Sequence, residues 1–164
     1  MGLFDFFKRR QKLEPKIFPL TQPGIDNLVA EVCSSLKMQF FLLEKIQRSI
    51  PPLLVKDDGG QPIIDRWLAG YLSGFYDAFG RLRGYEFELN ALELIFSVFY
   101  GEDDAAFAID EYHIARMSLE HDKEAAQLFG YDEFEKGMFE GGNNVFDWAN
   151  KRIPTPLGLY NRYA

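Results

Sequence analysis

An all-α fold, in a single compact domain of about five to seven helices, follows from three observations. Apolar residues recur at steps of three and four through most of the chain, the period of a helix with one buried face. Capping and stopping residues bracket those runs. No persuasive alternating run of β-branched residues, no internal repeat and no low-complexity tract competes with them. Residues 1–20 read as an amphipathic, basic appendage, 21–153 as the helical domain and 154–164 as an extended tail.

The elements follow in order. In the appendage, Leu3, Phe4, Phe6 and Phe7 precede Lys8, Arg9, Arg10 and Lys12, and Pro15 and Pro19 keep the following chain extended. Thr21 and Pro23 lie where a cap and a first turn belong, so the first long helix is expected over about Ile25–Ser49. Its core face is Ile25, Leu28, Val29, Val32, Leu36, Phe40, Leu43 and Ile46, and Pro51-Pro52 ends it. Lys56–Gly60 reads as a turn and linker; it lacks the alternating ligands of a calcium loop.

Asp65 should cap a second helix that stops at Gly84. Gly70 and Gly74 lie at the edge of its apolar arc. Such glycines cost about 1 kcal/mol each in helix propensity, so they point to a close backbone approach by a neighbouring helix. Arg66, Asp77, Arg81 and Arg83 argue against a membrane-dimerisation reading of the same pair.

A third helix over Tyr85–Tyr100 is apolar nearly all round and is expected to be central. Glu88 falls inside its apolar arc, where Arg81 or Arg83 would pair with it unless it sits exposed in the first turn. Glu102, Asp103 and Asp104 open a fourth helix at the positive end of its dipole. Its core face is Ala105, Ala108, Ile109, Tyr112, Ala115 and Leu119. Beyond Gly130, Asp132–Phe139 and Asn144–Lys151 read as two short helices split by Gly141-Gly142.

Composition excludes much. The 164 residues are 47% apolar, with sixteen Phe and eight Tyr, enough for a core without metal or disulfide support. The single cysteine, Cys33, reads as a small buried hydrophobe and fits a reducing, cytoplasmic setting. No secretory signal and no spanning apolar run is visible. No nucleophile elbow, Walker loop or dinucleotide fingerprint occurs, and no cofactor is called for.

Charge is sharply segregated. Residues 86–147 hold sixteen Asp/Glu against three Lys/Arg, a net of −13, whereas the whole chain is at −7. Such a surface disfavours nucleic acid and steers association with cations. On the fourth helix Phe107, Ile114 and Met117 stand among Asp103, Asp104, Asp110, Glu111 and Glu120, an apolar strip edged with carboxylates of the kind that binds proteins. The leading expectation is a non-enzymatic, cytoplasmic interaction module whose acidic face binds a protein with a basic surface, as an inhibitor or immunity protein does. A homo-oligomer is compatible with this reading.

Two alternatives carry named residues. Asp110, His113, His121 and Glu124 share one arc of a continuous helix and offer weak candidate metal ligands, for a metal-binding or hydrolytic protein. Their spacing is not the His-Glu-x-x-His zinc motif, and Asp110-x-x-His113 has the spacing of half a di-iron bundle site whose second half is absent. Leu3, Phe4, Phe7, Lys8, Arg9 and Arg10 have the layout of an interfacial membrane contact, which would make residues 1–12 lead a peripheral membrane or scaffold protein.

Overall fold

The computed structural model describes residues 22–121, 124 and 130–164. Its helices are α1 (Ile25–Lys45), α2 (Arg66–Arg83), α3 (Leu89–Tyr100), α4 (Glu102–His121), α5 (Tyr131–Ala149) and α6 (Gly158–Tyr163). A small hairpin of β1 (Leu54–Lys56) and β2 (Pro62–Ile64) joins α1 to α2. The fold is all-α apart from that hairpin. The N-terminal appendage lies outside the described residues, as do the side chains of α4 beyond His113.

The hairpin was not anticipated. The turn at Asp57–Gly60 closes two strands instead of linking helices. Asp57 Oδ1 accepts from the backbone N–H groups of Gly59 at 2.9 Å and Gln61 at 2.8 Å, so one carboxylate organises the loop. Asp65 then caps α2, accepting from Leu68 N–H at 3.0 Å. At the far end Gly84 takes φ +80°, a left-handed stop open to glycine.

The central helix is α2, not the third helix that the apolar count favours. Every residue from Trp67 to Gly80 except Asp77 is buried, and both α1 and α5 pack on it. The arc of large apolar residues understates this burial, because the glycine side of α2 is covered by backbone. In α3, Ala91, Leu92, Ile95 and Phe96 face the core while Leu94 and Val98 are exposed.

The approach expected at Gly70 and Gly74 is present, and its partner is α5. A Cβ on Gly70 would overlap the carbonyl oxygen of Phe134, and one on Gly74 that of Met138. Reciprocally, a Cβ on Gly137 or Gly141 would overlap the carbonyl oxygens of Trp67 and Tyr71. The paired numbers climb together, so the two helices run parallel, backbone on backbone. Contacts this close bring Cα–H groups onto facing carbonyls. Gly137, Gly141 and Gly142 therefore do not break α5. They lie inside one continuous helix, and the expected split into two short helices does not occur. The neighbouring helix supplies what the glycines lack locally.

Three further boundaries differ. α1 ends at Lys45, where Ile46 and Gln47 turn the chain back with N–H bonds to Leu43 and Glu44. α3 starts at Leu89 because tertiary bonds tether the preceding backbone. Glu86 N–H bonds the Gln22 side chain at 3.3 Å, and Glu88 N–H bonds the buried Tyr76 hydroxyl at 3.1 Å. The last residues, expected to stay extended, coil into α6, where Gly158 and Leu159 are buried.

Candidate functional site

Three places gather polar chemistry: one buried, one at the start of α2 and one exposed. The buried one joins four helices. The side-chain N–H of Gln39 in α1 donates to the Tyr71 hydroxyl of α2 at 3.2 Å. Gln39 Oε1 accepts from Leu159 N–H of α6 at 3.0 Å. Asn144 of α5 accepts from the Tyr71 hydroxyl at 3.3 Å and from Gly158 N–H at 2.8 Å. Burial pushes the Tyr71 hydroxyl far above the ordinary tyrosine range, and the bond to Gln39 only partly offsets this. Tyr71 therefore keeps its proton at neutral pH and its hydroxyl serves to locate α6.

A second group lies near the α2 start. Tyr163 donates to Asp65 Oδ2 at 3.2 Å, and Tyr100 donates to the Pro51 carbonyl at 3.0 Å. Both hydroxyls are pushed up, by burial first and then by Tyr163 and Asp65 acting on Tyr100, and by Asp65 on Tyr163. Cys33 is buried, as expected, and its thiol is raised by that burial, with Lys37 pulling the other way.

The exposed place is the outer side of α5, turned directly away from its glycines. Phe139 is 66% exposed, and Phe146 stands two turns further on the same side. Asp132, Glu133, Glu135 and Glu140 are exposed around them. Glu133 is paired with Lys136 at 2.6 Å and Asp147 with Arg152 at 3.2 Å. The remaining carboxylates, Asp132, Glu135 and Glu140, face solvent. A shallow groove of about 570 Å³ runs beside Phe139 and is lined also by Trp67, Glu133, Glu140, Asn143 and Arg162. Arg162 lays its guanidinium over the Trp67 ring at 4.7 Å, a cation–π contact. Trp67 in turn begins a ladder of rings up α2, stacked on Tyr71 at 5.2 Å and continued by Phe75 and Phe79.

The sequence-derived candidates fare unevenly. On α4, Ala105, Ala108 and Ile109 form the buried face as expected. Asp103 is exposed, while Asp104, Phe107, Asp110 and Glu111 are half-buried. The side chains of Ile114, Met117 and Glu120 lie outside the described residues, so only the first half of that strip is described. Of the metal candidates, His113 and Glu124 are exposed, Asp110 is half-buried, and the His121 side chain is outside the described residues. Among the described residues no group of three or more His, Cys, Asp or Glu could hold a metal ion. Glu88 sits half-buried at the N-cap of α3, ahead of its apolar arc. Arg81 pairs with Asp77 at 2.9 Å, and Arg83 pairs with Glu31 across to α1.

Leu3, Phe4, Phe7, Lys8, Arg9 and Arg10 belong to the undescribed segment. Among the described residues no helix is long and apolar enough to cross a membrane. Sequence reasoning missed the α5 face because it broke that helix at Gly141-Gly142. Read as one helix, Asp132, Glu135, Phe139 and Phe146 fall on one side and Gly137 and Gly141 on the other. No family model, curated protein or solved structure matches this chain.

Proposed function

We propose that this protein is a non-enzymatic interaction module whose acidic, aromatic surface on α5 engages a cationic segment of a partner protein. The observation that carries the reading is Phe139, 66% exposed on a regular helix and bordered by Glu135 and Glu140. A large ring held in water on a rigid helix is a ready anchor for an interface centre, and carboxylates around it select a cationic counterpart. The net −13 of residues 86–147 adds long-range attraction. Arg162 over Trp67 is an intramolecular example of a guanidinium at this groove.

Fluorescence anisotropy with a labelled peptide of alternating arginine and leucine tests the reading. The wild-type chain should bind it, and binding should weaken as salt screens the carboxylates. A Phe139→Ser/Glu140→Lys variant should lose roughly tenfold or more, since truncating one buried anchor removes about 2 kcal/mol or more. Equal affinity for the variant, or for a glutamate–leucine peptide, overturns it.

A further inference from the structure

α1 carries a second outward face, chemically opposite to that of α5. Met38 is 54% exposed and Phe41 48% exposed, on the side of α1 turned away from Leu36, Phe40 and Leu43. Lys45 lies over the Phe41 ring at 4.8 Å. Lys37 is exposed one turn before Phe41 and Arg48 is exposed just past the helix end; from Lys37 to Arg48 the only acid is Glu44, so this segment carries a net of +2. The α5 helix carries Asp132, Glu133, Glu135, Glu140 and Asp147 against Lys136, a net of −4. Each face is therefore an exposed ring or thioether set among charges mostly of one sign, with Glu44 the exception on α1 and Lys136 on α5.

Both helices pack on α2 with these faces outward, so within the described residues neither face can reach the other. Two α1 faces brought together would oppose cations to cations, and two α5 faces anions to anions. Like-charge juxtaposition costs several kcal/mol, which disfavours a symmetric dimer through either face. The unlike pair is complementary in both charge and apolar content.

We propose that the α1 face of one copy docks on the α5 face of a second copy, head to tail. This deepens the reading above, since it names the cationic partner of the α5 face as the Lys37–Arg48 end of this same chain. A heterologous contact of this kind leaves one free face of each type, so association continues past the dimer into rings or open chains. Phe41 and Phe139 supply the apolar centre, and the charges set direction.

Sedimentation velocity across a concentration series tests it. At low salt the average mass should rise with concentration and pass that of a dimer. Raising ionic strength from about 0.01 M to about 1 M shortens the screening length from about 30 Å to about 3 Å, and the series should then collapse toward monomer. Lys37→Glu/Lys45→Glu takes the α1 segment from +2 to −2, so both faces are acidic, and Asp132→Lys/Glu135→Lys/Glu140→Lys takes α5 from −4 to +2, so both are basic. Each variant alone should stay monomeric, and mixing the two should restore association, because every contact in the mixture again joins unlike faces.

A wild type that stays monomeric at low salt, or a mixture that fails to restore what each variant lost, overturns the proposal. The Lys37→Glu/Lys45→Glu variant keeps its α5 face. If it still binds the arginine–leucine peptide while the wild type does not self-associate, self-association is overturned and the reading of α5 as a cation-binding surface stands. If that peptide fails to bind as well, both fall.

Discussion

The two sides of α5 obey opposite rules. Inward, Gly137 and Gly141 present no side chain at all, and the helix rests on the backbone of α2. Outward, Phe139 and Phe146 are 66% and 37% exposed and face water. A helix optimised only for the fold would place its rings inward and its small residues outward. In α5 the close approach to α2 is made with Gly137 and Gly141, one ring, Phe134, is buried, and Phe139 and Phe146 stay in water. The same contrast separates side chains that hold the fold from those whose removal the fold should tolerate.

The largest effect should come from the glycine seam. Gly74→Ala and Gly141→Ala each gain about 1 kcal/mol in helix propensity, yet each new methyl overlaps a facing carbonyl and forces the helices apart. Overpacking costs about 1–3 kcal/mol and occasionally more, and here the displaced neighbour is backbone, which cannot rotate away. We expect both variants to melt lower than wild type, and the double variant Gly70→Ala/Gly74→Ala lower still, as read by circular dichroism. If Gly141→Ala melts higher, propensity outweighs the seam and the contrast between the two sides of α5 is lost.

Next in size is the buried node. Tyr71→Phe removes the hydroxyl shared by Gln39 and Asn144, and leaving buried polar groups short of a partner costs about 1–3 kcal/mol. Gln39 and Asn144 keep their bonds to the α6 backbone, so the loss should fall toward the lower end. Hydrogen exchange should show α6 opening more readily, with the α2 core protected as before.

The tyrosines also predict an alkaline limb. Tyr71, Tyr100 and Tyr163 are all raised in the fold. The unfolded chain releases these protons near pH 10, so below that value their contribution to stability is fully present. As pH climbs above about 10, the unfolded state binds fewer protons than the native one, and stability falls. Urea midpoints should drop above about pH 10, and Tyr71→Phe should flatten that fall. A midpoint flat across this range would show that burial does not hold these protons.

How far this was legible depended on where the deciding interaction lay. Asp65 and Gly84 bracket α2 correctly, because capping and left-handed termination are decided within a few residues. The Gly70/Gly74 approach was legible from α2, but its partner was not. In α5 the local cost of Gly141-Gly142 reads as a break, and only the facing carbonyls of α2 show why the helix continues. The α6 helix is equally hidden, since Gly158 and Leu159 are held by Asn144 and Gln39 from distant helices. The same broken α5 concealed the candidate face, while on α4 the buried face of Ala105, Ala108 and Ile109 was legible because its spacing runs unbroken.

The most direct measurement compares fold and binding in one variant. Phe139→Ser/Glu140→Lys alters only exposed positions of α5, and surface changes of this kind stay within about 0.5 kcal/mol. Its melting temperature should match wild type while its affinity for the arginine–leucine peptide falls. A variant that unfolds earlier, or one that binds as tightly as wild type, would contradict a division of α5 into a side for the fold and a side for a partner.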